Sequence, residues 1–208
     1  MKHILLLTTL LFIINGCTPN PTPNSTNKDL TELKKTSNQS TEREELEKSL
    51  DSYTKATIDN DIDTLITFIY PKAFTIVPKE KMISMLKKSY TQKNIPQVKD
   101  VKHLSIDPIQ KYDKGVYSTI LSSLTTIINS PRPNDPKFEA YMLETLQKQL
   151  GERGKVNFNQ EKHQFSIDHT TKTIALKEDK NWTFTGFKQA KKYIQKNIFP
   201  TELIDKIK

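Results

Sequence analysis

The chain has a single cysteine, Cys17, so no disulfide can form within it and no thiolate metal cluster can be built from its residues. Glycine is nearly as scarce, with five in 208 residues. None falls in a Gly-x-Ser-x-Gly, phosphate-loop or dinucleotide-binding pattern, which leaves those enzyme classes without their signature. The four histidines include no His-x-x-x-His pair, and no metal site is expected from their spacing. The longest apolar stretch, Ile4 to Ile14, is too short for a transmembrane helix, which needs about 20 such residues. No internal repeat is visible.

What is present begins with that stretch. Lys2 and His3 precede it and Asn15-Gly16-Cys17 follows, the order of a charged start, an apolar segment and a cleavage region in a secretion signal. Ile14-Asn15-Gly16-Cys17 resembles the lipobox of bacterial lipoproteins. Asn15 is larger and more polar than the small residue that family prefers there. The resemblance implies cleavage between Gly16 and Cys17, with diacylglyceration of the Cys17 thiol and acylation of the new amino terminus. Such a thiol is no longer free to act as a nucleophile. Two or three acyl chains give stable membrane retention where one gives only marginal binding. Thr18, rather than Asp, follows the cysteine, which in the enterobacterial form of the family implies the outer membrane.

Residues 17–40 are expected to be the acylated cysteine and a disordered tether. Pro19, Pro21 and Pro23 alternate with Thr, Asn and Ser, and large apolar residues are almost absent. Lysine and arginine number 32 against 24 acidic residues, a formal charge of +8. The lysines are scattered in short clusters such as Lys34-Lys35, Lys87-Lys88 and Lys191-Lys192. No basic run is interleaved with aromatics, so nucleic acid is not an expected partner. A solvated lysine-rich surface, or attraction to anionic lipid or polysaccharide, accounts for the charge.

Residues 41–208 have the size and composition of one domain with a sizeable core. Thr41 and Glu44 form a capping-box pattern, followed by Leu46, Leu50, Tyr53 and Thr57 at helical spacing. Asn60-Asp61 breaks that helix. Ile62, Leu65, Ile66 and Ile69 then make the stripe of a second helix, ended by Tyr70-Pro71. A third starts at Pro78, with Met82, Met85, Leu86 and Tyr90 on one face. The period then changes: 101–109 and 116–128 read as strands about the turn signal Asp113-Lys114-Gly115. Asp135-Pro136 opens a helix with Phe138, Tyr141, Met142, Thr145 and Leu146 on one side, stopped at Gly151. Residues 156–167 read as one strand with a bend, placing His163 and Phe165 on one face. Asp168-His169-Thr170-Thr171 reads as a turn and 171–177 as a strand. Residues 181–187 close a hairpin with it through Glu178-Asp179-Lys180. A terminal helix covers 189–196, and Pro200 can start another.

Helices first and then a curved antiparallel sheet argue an α+β fold. The first helix, the Asn60-Asp61-Ile62-Asp63 break, the Tyr70-Pro71 stop and the late strands from Leu176 through Trp182 to Phe184 resemble the nuclear-transport-factor-like superfamily, which includes ketosteroid-isomerase relatives. The resemblance covers the two ends of the domain and implies a cone of helices packed on a bent sheet. The helix near 136–150 is additional to a minimal member. A cystatin-like or other α+β lipoprotein fold is the alternative.

Enzymes of the ketosteroid-isomerase type use an Asp base in an apolar cavity with hydrogen-bond donors such as Tyr. Tyr53, Tyr70 and Tyr90 would roof such a cavity, and Asp100 or Asp107 lies near a strand. None maps onto the family's catalytic positions, and core packing explains the tyrosines as well. Trp182 and Phe184 read as the inner face of the sheet. No catalytic, cofactor-binding or metal residue is therefore assigned, and the modified residue is Cys17. The expected function is a noncatalytic cell-envelope lipoprotein, anchored to the membrane and binding a partner protein or a small apolar ligand without a cofactor. The alternatives are a surface-exposed module that binds host or matrix molecules, and a small-molecule isomerase or dehydratase.

Overall fold

The computed structural model describes the backbone of residues 31–91 and 95–203, and side chains from residue 40 onward. The leader, Gly16, Cys17 and the proline-rich part of the tether lie outside the described residues. A long helix α1 (Thr31–Asp59) comes first. Leu46, Leu50 and Ala56 are its buried positions, and each buried leucine contributes about 2 kcal/mol. Asn60 takes a left-handed φ of 56°, and Asp61 caps α2 (Ile62–Leu65), its carboxylate accepting from the Thr64 amide at 3.1 Å. Two 3₁₀ turns, Ile66–Phe68 and Pro71–Thr75, lead to α3 (Lys79–Tyr90), which follows Pro78.

The sheet is antiparallel and strongly curled, a half-barrel. Its strands are β1 (Gln97–Ile106), β2 (Gln110–Tyr112), β3 (Gly115–Asn129), β4 (Gly154–Asn159), β5 (Gln164–Lys177) and β6 (Thr183–Gly186). The order is β1-β3-β5-β4, with β2 also on β3 and β6 also on β5. Between β3 and β4 lies α4 (Pro136–Leu150), capped by Asp135 and ended at Gly151, whose φ is 61°. After β6 comes α5 (Phe187–Gln195).

Period two gives the long strands β3 and β5 two faces with different covers. On one face α1 packs at one end, over Val116, Ile120, Ala175, Trp182 and Phe184. α4 packs at the other end of that face, bringing Met142, Leu143, Leu146 and Leu150 onto Ile128, Val156, Phe165 and Ile167. The opposite face carries Tyr117, Ile174 and Leu176, covered by Ala190 and Tyr193 of α5 together with Tyr70, Phe199 and Leu203.

The α+β class with a curved antiparallel sheet is the one expected from the sequence. Several local readings are corrected. α1 begins at Thr31 and not at Thr41, because residues 31–40 contain helix formers and neither proline nor glycine. The second helix stops after one turn and tightens into a 3₁₀ segment. The bent strand of 156–167 is a hairpin, with His163 in its turn at φ 48° and not on a strand face. Asp168 to Thr171 lie inside β5, where pairing to β3 and β4 overrides the turn-forming preference of Asp and His. On α4, Tyr141 faces solvent, and the inward side includes Leu143 and Leu150, one residue round from the expected stripe.

Candidate functional site

Between the α1 and α4 clusters, the covered face of the sheet is polar. Ser118, Ser122 and Thr126 lie on this face of β3, all buried, Ser118 within the α1 cluster between Val116 and Ile120 and the other two beyond it. They pair across to Ala175, Thr171 and Ile167 of β5, with His169 opposite Leu124 between them. From the other side β1 brings His103 opposite Ser122. The His103 ring spans two elements: Nδ1 lies 2.9 Å from the Ser122 hydroxyl and Nε2 3.0 Å from the Thr54 hydroxyl of α1. Burial pushes its pKa below the usual imidazole value, against an opposing pull from Asp51. His169 is also pushed down by burial, with backbone bonding at Ile167 and the Asp168 charge opposing and Arg153 assisting. Both rings therefore favour the neutral form, which can donate through one nitrogen and accept through the other.

A second polar group gathers at the β5–β6 turn. The phenols of Tyr70 and Tyr112 each donate to Glu178 Oε1 at 3.0 Å, and Lys72 Nζ lies 3.1 Å from Oε2. Burial raises the carboxyl pKa, but hydrogen bonds from Lys72, Tyr112 and Tyr70 outweigh it and hold Glu178 below the usual carboxylate range. Burial and the Glu178 charge push both phenols up. Glu178 is thus an ionised acceptor, and this cluster fastens the Tyr70–Lys72 segment and β2 to the hairpin turn.

A third pair joins α4 to the β4–β5 turn. Glu139 Oε1 is 2.9 Å from His163 Nδ1, with the glutamate side chain 5 % exposed and the imidazole 28 %. Glu139 was not singled out from the sequence, although helical spacing carries the signal: it lies i, i+4, i+7 and i+11 with Leu143, Leu146 and Leu150.

The other residues weighed as catalytic are placed apart. Tyr53 stacks on Phe184 at 4.8 Å and meets Phe68 edge-on at 5.8 Å, inside the α1 cluster. Burial and the Tyr90 hydroxyl raise its pKa. Asp100 and Asp107 are exposed, Asp100 facing Lys102 at 3.6 Å, so neither is a carboxylate in apolar surroundings. Tyr70 joins Glu178 instead of either aspartate. Among the described residues no cluster of three or more His, Cys, Asp or Glu could hold a metal ion, and no helix is long and apolar enough to cross a membrane.

No family model, curated protein or solved structure matches this chain. Its assignment therefore rests on its own residues.

Proposed function

We propose that this chain is a noncatalytic lipoprotein of the bacterial cell envelope, held in the membrane, of outer-membrane type, through acylated Cys17 and presenting its α+β domain to a partner protein or a small apolar ligand. The observation that carries this reading is the order Lys2-His3, Ile4 to Ile14, Gly16-Cys17, with no second cysteine to pair with. The structural roles of three of the polar groups support the noncatalytic part. Glu178 is kept ionised by three donors, His103 ties α1 to the sheet, and Glu139 ties α4 to a turn. The nuclear-transport-factor-like resemblance belongs to the same proposal, supported by helices packed on a curled sheet.

A partner protein has apolar surface available. α3 carries no fully buried residue, and Met85 is 56 % exposed, as is Leu104 at 55 % beside the irregular pairing of β1. The anchor is tested by intact-mass measurement and fractionation of the native protein. The expected mass is that of the chain from Cys17 plus its acyl groups, and Cys17→Ser should move the protein out of the membrane fraction. An unmodified full-length mass, or an unchanged distribution of Cys17→Ser, would overturn the reading.

A further inference from the structure

The twenty-two residues from Lys180 to Thr201 contain five lysines and no Asp or Glu. α5 sorts this charge by helical spacing. Ala190 and Tyr193 are buried on the sheet, while Lys188, Lys191 and Lys192 fall at i, i+3 and i+4 on the other side, continued past the helix end by Lys196. Among the described residues, none of these four is in an ion pair. Lys191 extends over the face of the half-buried Phe187 ring, 4.8 Å from its centroid.

The path of α1 relates this helix to the amino-terminal end of the chain. Thr54 lies at His103, Arg43 donates to the Ile106 carbonyl at 3.0 Å, and Glu45 pairs with Lys177. Followed backwards, α1 therefore leaves the sheet at the end that carries the β5–β6 turn. Tyr193 and Phe199 pack in one cluster with Leu176 and Tyr70 near that same turn, so the last part of α5 lies at the end from which α1 departs. Thirteen residues lie between Cys17 and Thr31, a reach of at most about 50 Å.

We infer that the lysine face of α5 is a second membrane contact, docking on anionic lipid headgroups once the acylated cysteine has brought the domain to the bilayer. The inference rests on the anchor reading for its location. Its chemistry stands on the face itself: four lysines clustered in a stretch that holds no acidic residue between Asp179 and Glu202, which a surface of negative headgroups attracts and salt screens. Nucleic acid fits less well, because Tyr193 and Phe199 are turned inward and the half-buried Phe187 ring lies under Lys191, which leaves little aromatic surface for bases on this face.

The test uses the mature chain, residues 17–208 with Cys17→Ser, so that neither the acyl groups nor the apolar leader contributes, sedimented with vesicles of phosphatidylcholine alone or mixed with phosphatidylglycerol. Binding should require the anionic lipid and weaken as salt is raised. Replacing Lys188, Lys191, Lys192 and Lys196 by Gln should weaken it about a hundredfold or more, at roughly fivefold per lysine. A control replacing Lys48, Lys79, Lys81 and Lys88 should change it far less. Equal binding to both vesicles, equal losses in the two quadruple variants, or tighter binding to a single-stranded oligonucleotide than to the anionic vesicles would overturn the inference. Because the assayed chain carries no lipid, these outcomes are independent of whether the native protein proves to be acylated.

Discussion

Glu178 receives more hydrogen-bond donors than any other described carboxylate, and its ionisation links this turn to pH. A carboxyl whose folded pKa lies below its unfolded value stabilises the fold above the unfolded value, near 4.3, and loses that contribution as pH falls through the folded one. Tyr112→Phe removes one donor to a charged acceptor. It should cost about 1–2 kcal/mol at neutral pH, discounted because the carboxylate keeps some water contact. The measurement is urea unfolding of both proteins across acid pH: the two stabilities should converge once Glu178 is protonated. His103 and His169 act in the same direction at higher pH. Their lowered values mean that stability is complete above about 6.5 and is lost as pH falls through the folded values.

Caps and termini decide the elements. α4 starts where Asp135 accepts from the Phe138 amide at 3.1 Å and Pro136 occupies the first turn, and it stops at a glycine with positive φ. Asp135→Ala should lower stability by about 1 kcal/mol, read as a shift in urea midpoint with unchanged slope. These signals are local, and the sequence carried them: Asp61, Pro78, Asp135 and Gly151 lie at the expected boundaries. His163 and His169 were misplaced for the opposite reason. A Lys-His or Asp-His-Thr-Thr segment is compatible with turn or strand, and the choice is made by β3, more than 30 residues away in sequence. Gly115 shows the same dependence. A Cβ there would collide with the Lys177 carbonyl, so Gly115→Ala should weaken the β3–β5 pairing by several kcal/mol, visible as lost amide-exchange protection at that end of the sheet.

At the scale of the molecule, β3 and β5 run through all three apolar clusters, so loss of one end is felt at the other. Leu46→Ala, at a fully buried α1 position, should cost about 2–5 kcal/mol. Trp182, the sole tryptophan and 2 % exposed, reports the α1 cluster, while far-ultraviolet circular dichroism reports the whole chain. Their unfolding transitions should coincide in both wild type and variant.

Whatever depends on neighbours within a few turns could be read directly from the sequence: the apolar leader ending at Cys17 as an expectation of anchoring, the helices and the outline of the sheet, though not β2 or the strand limits within 154–177, and most of the caps. Spacing along one element also determined that Trp182 and Phe184 face inward. The tertiary structure alone decided which distant polar groups meet. Tyr70 and Tyr112 reach Glu178 across 108 and 66 residues, and Thr54 reaches His103 across 49, because the sheet curls and α1 crosses it. Pairings of that kind are set by the register of β3 on β5 and the placement of helices on its two faces, and no periodicity within a single segment encodes them.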